Sequence, residues 1–289
     1  MPSQQIQYFP GHMAKTRRMI SENLKYVDII IELLDARIPA SSKNPEIAEL
    51  TERKPRLVLL NKASLADPVI TKKWIAYYEK LGIRAVATDC VTGENVNKIG
   101  SIIRDILKDK IRKNEEKGMS GKQLHAMIVG IPNVGKSTLV NKLCGQKKAK
   151  AENRPGVTLN KQWVTTSQGF DLLDMPGILW PKFEDRMTGE NLAFTGAIKD
   201  IVIDTEELGM ILSKKLFDLY PALFCERYKL IRDEVSELDS YDMLCAVGKK
   251  RGFLVSGGEI NTERTAIMLL DEFRSSKIGR ITLEAPENA

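Results

Sequence analysis

The octapeptide GIPNVGKS, residues 130–137, leaves its stretch of chain few conformations to choose from. It fits G-x-x-x-x-G-K-[ST] in full at Gly130, Gly135, Lys136 and Ser137. The apolar run AMIVG (126–130) leads into it, and a helical pattern over Lys136–Leu143, ending near Gly145, leads out. Glycines let such a strand-to-helix turn curl so that backbone amides face inward, and the positive end of the helix reinforces them, which makes the turn a phosphate cradle. In that cradle Lys136 is the residue that bridges β- and γ-phosphates, the Ser137 hydroxyl is a ligand for Mg²⁺, and Asn133, Val134 and Thr138 complete the nucleotide contacts. The bland alternative is a glycine-rich turn with no ligand, which leaves the full pattern in its full context unexplained.

Three more apolar runs accompany this strand: VDIIIELLDA (27–36), RLVLL (56–60) and RAVAT (84–88). The first is rich in β-branched residues and all three show little alternation, as expected of strands buried on both faces. Helical patterns at 69–81 and 95–117 separate them, so right-handed crossovers and a parallel sheet are predicted. KNEEKGMSGK (113–122) reads as a linker, and QWVTT with GFDLLD (162–174) as a hairpin turning at SQG. Beyond about residue 182 strand signals fade and helical periodicity takes over. The predicted organisation is an α/β domain over residues 1–182 and a smaller, mostly helical domain over 183–289.

LLDMPG (172–177) ends an apolar strand with an acid. About forty residues after a phosphate loop, that pattern places Asp174 to hold Mg²⁺ through water and the Gly177 amide to meet a γ-phosphate. Between them NRPGVT (153–158) supplies Thr158, whose hydroxyl would complete the Mg²⁺ shell; alone, PGVT is a turn. LVLLNKAS (57–64) resembles a guanine reader of the NKxD type, with Asn61 and Lys62 in place and Ser64 where the acid belongs. In such a loop the Asn amide ties base loop to phosphate loop, the Lys stem covers the purine face, and the acid accepts from guanine N1–H and the 2-amino group. Serine offers one neutral acceptor, which leaves guanine selectivity open, and Asp67 is the nearest acid able to compensate. TDCVTGENV (88–96) resembles the second base-contacting loop and brings Asp89 and Cys90 to the nucleotide. The base reader precedes the phosphate loop, the reverse of the ordinary order. Joining old ends and opening the chain elsewhere preserves the site, because strand position and not chain order defines it. The predicted fold is therefore a P-loop GTPase with circularly permuted motifs, binding GTP or GDP.

A net charge of +6 favours a polyanionic partner. MPSQQIQYFPGHMAK lacks a signal-peptide core, and no apolar run approaches membrane-spanning length. Cys90, Cys144, Cys225 and Cys245 form no CxxC pair and there are two histidines, so reduced thiols in a cytoplasmic protein are expected.

With these segments in this order the chain resembles the circularly permuted GTPases of ribosome assembly. The likeness spans nearly the whole chain: YFPGHMAKTRR (8–18), DARIP-SS-NP (35–45), PGILWPKFED (176–185), TGAIKD (195–200), KKRG (249–252) and SGGEIN (256–261). Ser64 departs from it, since the family normally carries Asp there. The resemblance implies a monomer that binds the large (50S) ribosomal subunit and its rRNA, and GTP hydrolysis stimulated by that subunit late in its maturation. Residues 183–289 would then be the RNA-binding domain. Ile178 stands where a Ras-like protein carries a water-orienting Gln, so hydrolysis is expected to be slow alone. The resemblance also puts a potassium contact on Asn133 and the catalytic histidine on His12, which could instead bond locally or touch RNA. A P-loop enzyme that phosphorylates a small molecule is the alternative from metabolism, and a non-catalytic RNA-binding module with a degenerate nucleotide site is another. DMPG and NK weigh against the first, and intact Lys136, Ser137, Thr158 and Asp174 against the second. KKAK (147–150) and KKRG are candidate RNA contacts or merely solvated charge.

Overall fold

The structure is a computed structural model that describes residues 10–145, 162–180, 183, 185–198 and 204–288. The four apolar runs are strands: β1 Ile29–Asp35, β2 Arg56–Asn61, β3 Arg84–Ala87 and β4 Leu124–Val129. With the hairpin strands β5 Gln162–Thr165 and β6 Phe170–Asp174 they form a six-stranded sheet in the order β3-β2-β1-β4-β6-β5. All neighbours are parallel except β5, which runs antiparallel to β6. All seven residues of β1 are buried, which is why its sequence shows no alternation.

Helices α1 (Pro10–Asn23), α2 (Pro45–Leu50) and α3 (Pro68–Lys80) accompany the first strands. One apolar cluster joins Ile20 of α1 and Ile47 of α2 to Ile30, Met127, Leu173, Met175 and Ile178. Another joins Trp74 and Tyr78 of α3 to Leu34, Val58 and Leu60. The single helical pattern over 95–117 is broken in the structure. A 3₁₀ turn, Val96–Lys98, leads into α4 (Ile99–Ile106), and α5 (Lys108–Glu116) follows a break at Leu107. Leu107 is buried and is the last residue of the apolar stripe, so the chain turns there and α5 runs on as a polar helix that takes in the first part of the expected linker. Helix α6, Lys136–Cys144, opens at Gly135 and closes at left-handed Gly145, as the turn chemistry predicts.

A second compact unit spans Asp185–Leu283. It contains α7 (Arg186–Phe194), α8 (Thr205–Leu219), α9 (Pro221–Tyr228), α10 (Arg232–Val235), α11 (Ser240–Arg251) and α12 (Thr262–Arg274). Glu272 of α12 binds three of their side chains: Arg227, Tyr228 through its hydroxyl at 3.0 Å, and Arg251 at 3.3 Å. Residues 284–288, which the helical texture assigns to this unit, belong to the first. The Glu284 carboxylate accepts from the Ala40 amide at 2.7 Å and the Ser41 amide at 3.1 Å, and Trp74 donates to the Glu284 carbonyl at 3.0 Å. Among the described residues no helix is long and apolar enough to cross a membrane.

Candidate nucleotide site

The turn from β4 into α6 is pinned from the side by Asn61, the last residue of β2. Its amide nitrogen donates to the Val134 carbonyl at 2.7 Å, and its carbonyl oxygen accepts from the Cys90 amide at 3.0 Å. One buried carboxamide thus joins the phosphate loop, the NK loop and the TDC loop. Gly135, at φ +107°, could not be another residue: a Cβ there would run into the Asn61 amide nitrogen.

Lys136 is buried, and its ammonium donates to the Gly130 and Ile131 carbonyls at 2.9 and 2.7 Å. Burial lowers its pKa to about 8, while the charge of Asp174 works the other way. Asp174, ending β6, is pushed up to about 6 by burial, with Lys136 opposing. Its Oδ1 is buried with no hydrogen-bond partner among the described residues, a costly state for a carboxylate oxygen unless something charged comes to it. Gly177 lies close by: a Cβ on it would stand 2.6 Å from the Lys136 ammonium and 3.0 Å from the Pro132 Cα. The structure therefore brings Asn133, Val134, Gly135, Lys136, Ser137, Thr138, Asp174 and Gly177 to one corner, at the C-terminal ends of β4 and β6. That edge of an open parallel sheet is where such folds bind ligands.

The base corner holds a buried ion cluster that sequence reasoning passed over. Lys62, at φ 60°, pairs with Asp35 at 2.9 Å, and Asp35 also takes two bonds from the Arg37 guanidinium at 2.8 and 3.0 Å. Burial acts to raise the Asp35 pKa, but Arg37 and Lys62 outweigh it and hold the carboxyl well below the usual range. Lys62 is lowered, chiefly by burial, with Asp35 opposing. In the sequence Asp35 shows only as the acid that ends β1; its parallel register with Asn61, which brings Lys62 to it, comes from the fold.

Ser64 donates its hydroxyl to Asp89. Asp67, the acid expected to compensate, is committed elsewhere: its carboxylate caps α3 by accepting from Val69 N at 2.7 Å and Ile70 N at 3.4 Å. Cys90 contributes its amide to Asn61, and burial pushes its thiol up to about 12, so it remains protonated.

Ile178 lies inside the apolar cluster with Ile20 and Met175, and its carbonyl accepts from Asn44 at 3.2 Å. His12 falls in the first turn of α1; its side chain, Thr158 and the KKAK segment lie outside the described residues. In KKRG, Lys249 and Lys250 are exposed in the last turn of α11. Arg251 is bound to Glu272 and lies over the Tyr228 ring at 5.2 Å.

Residues 125–219 match the family described as "50S ribosome-binding GTPase". Over 283 residues the chain is 46% identical to "Ribosome biogenesis GTPase A" of Bacillus pumilus, covering 98% of this chain and 99% of that protein. Among solved structures it is similar to a GDP-bound YlqF, with a TM-score of 0.67 and 25% identity over 93% of this chain and 100% of that one. A GNP-bound YlqF from T. maritima gives a TM-score of 0.63 and 26% identity over 95% and 100%.

Proposed function

This chain belongs to the ribosome biogenesis GTPase A family, and from that premise we propose that it binds the large ribosomal subunit and hydrolyses GTP late in that subunit's assembly. Its GTPase domain has the circularly permuted P-loop fold. The observation that carries the proposal is the bond from Asn61 to Val134, which closes a base-reading loop onto a phosphate loop that follows it in the chain.

The chain's own groups account for the chemistry. The loop amides and Lys136 take the phosphates, Lys136 exchanging the Gly130 and Ile131 carbonyls for phosphate oxygens. The orphaned Asp174 oxygen fits a cation, so Asp174 with the Ser137 and Thr158 hydroxyls would hold Mg²⁺, and Asn133 would hold K⁺. Bound there, Mg²⁺ would supply positive charge to offset that of the phosphates. Gly177 offers its amide to the γ-phosphate. With Ile178 packed into the core, the position directly after DMPG supplies no group to orient water, and turnover is slow until docking brings His12 to that role. We assign the helical unit, with Lys249 and Lys250, to rRNA. The protein works as a monomer in the cytoplasm.

GTP turnover with and without large ribosomal subunits tests this. Slow turnover that rises steeply with subunits is expected. Equal rates in both, or phosphate transfer to a small metabolite, would overturn the proposal.

A further inference from the structure

A guanine reader needs a fixed acceptor, and a lone serine does not supply one, because its hydroxyl donates as readily as it accepts. Ser64 is not alone. Its hydroxyl donates to Asp89 Oδ2, while Asp89 Oδ1 accepts from the Val91 amide at 2.8 Å and the Thr92 amide at 2.9 Å. The Ser64 backbone is a further hydrogen-bond partner of the same carboxylate. Four donors meet a group with about four lone-pair sites, so Asp89 has no acceptor capacity left for a base. Its effect falls on Ser64. A hydroxyl carries one proton, and with that proton committed to Asp89 the half-buried Ser64 Oγ can only accept.

Resting on the GTPase reading above, we propose that Ser64 and Asp89 together replace the aspartate of the guanine reader. Ser64 Oγ accepts from guanine N1–H, and Asp89 is the positioning residue that fixes the hydroxyl's polarity. The charge absent from position 64 has moved to the neighbouring base loop and acts through one hydrogen bond. Asn61 holds the two loops at this spacing, since it bonds the Cys90 amide next to Asp89 and lies three residues before Ser64.

The chemistry of the bases then sets selectivity. Guanine and hypoxanthine both present N1–H, whereas adenine presents an acceptor at N1 and is rejected. The guanine 2-amino group finds no second acceptor on Ser64, so guanine and hypoxanthine are separated only weakly. Xanthine also presents N1–H, but its C2 carries an oxygen, and an acceptor-only hydroxyl offers that oxygen no donor. Asp89→Asn reverses this. The introduced amide keeps its oxygen on Val91 and Thr92, turns its NH₂ toward Ser64 and frees the serine proton to point outward.

The test is calorimetric titration of the full chain with the Mg²⁺ complexes of GDP, IDP, XDP and ADP. The parent should bind GDP and IDP within about tenfold of each other, one unshared hydrogen bond, and ADP far more weakly. Asp89→Asn should weaken GDP and raise the XDP:GDP affinity ratio by about tenfold or more. Ser64→Ala, which leaves Asp89 in place, should cost about tenfold in discrimination against ADP. Ser64→Asp alone sets two carboxylates against each other, so Ser64→Asp/Asp89→Asn should bind GDP more tightly than Ser64→Asp and separate GDP from IDP better than the parent. A role confined to holding the loop would weaken all four nucleotides together. An XDP:GDP ratio unchanged in Asp89→Asn, or undiminished rejection of ADP in Ser64→Ala, overturns the inference alone. A parent chain that binds no guanine nucleotide overturns the GTPase reading and this inference with it.

Discussion

The Asn61 amide donates to the Val134 carbonyl at 2.7 Å across 73 residues of chain, and the direction of that separation is opposite to the ordinary one. The bond is indifferent to chain order because β2 and β4 flank β1, both parallel to it, in one sheet. Its loss is measurable. Asn61→Ala removes this bond and the one from Cys90, each worth about 0.5–1.5 kcal/mol net. GDP affinity should fall by about 5- to 150-fold in calorimetry. Asn61→Asp should do no better, since a carboxylate cannot donate to a carbonyl. A GDP affinity within twofold of the parent for Asn61→Ala would show that the two loops are held together by something else.

Gly177→Ala puts a methyl group into the space between Pro132 and the Lys136 ammonium. If the Gly177 amide meets the γ-phosphate, as proposed, the change should fall on GTP more than on GDP, which has no such phosphate. Loss of one charge-assisted bond, about 1.5–3 kcal/mol, corresponds to roughly 10- to 150-fold in affinity for a non-hydrolysable GTP analogue. Equal weakening of GDP and the analogue would place the damage at Lys136 instead.

Much of this was legible because each motif carries its own backbone demand. Gly130, Gly135, Lys136 and Ser137 need a buried strand before them and a helix after, and the apolar run AMIVG and the pattern after Lys136 supplied both. Three things were not legible. The break at Leu107 depends on where the core ends, and periodicity alone does not carry that. Asp35 acquires its role only when β1 and β2 pair in register and bring Lys62 to it. Ser64 looks like a loss until the fold brings Asp89, 25 residues on, against its hydroxyl.

Asp35 also makes the base corner sensitive to acid in a defined direction. Asp35→Ala leaves the buried Arg37 and half-buried Lys62 cations without their partner, which costs about 3–5 kcal/mol. The folded carboxyl titrates below the usual range and the unfolded one at about 3.9, so the folded state holds fewer protons. Its contribution is complete above about pH 5 and is lost as pH falls through the folded value. Denaturant titrations should show a parent–variant gap that is flat from about pH 8 to 5 and narrows below about pH 4. A gap that widens with acid would contradict the assignment.

The exposed pair Lys249 and Lys250 is separable from its neighbour Arg251, which holds Glu272. Replacing both lysines with Ala should weaken pelleting with large subunits and lower the slope of log K against log salt by about 1.5–2, the release of about two counterions. Nucleotide affinity should not change. Arg251→Ala should instead lower the melting temperature, because it takes from the buried Glu272 carboxylate one of its three partners. An unaltered salt slope in the double lysine variant would remove this turn of α11 from the RNA interface.

His12 stands in the first turn of α1, and the same helix sets Ile20 into the cluster that holds Met175 and Ile178. Whatever moves the segment after Asp174 therefore bears on the helix that carries the histidine. Ile178 cannot be converted into a water-orienting residue at this place: Ile178→Gln would bury an amide among apolar side chains, at about 1–3 kcal/mol if unpaired, without bringing it to a phosphate. It should lower stability and leave turnover slow. If His12 supplies the missing contact to water, His12→Ala should keep nucleotide affinity and subunit binding while losing about 10²–10⁴-fold in subunit-stimulated hydrolysis. Ile20→Ala, which loosens the helix from the cluster, should lower the same rate with His12 intact. Single-turnover hydrolysis on saturating subunits separates the chemical step from product release. A parental rate for His12→Ala under those conditions would take the histidine out of the reaction and leave Ile20 with a purely structural part.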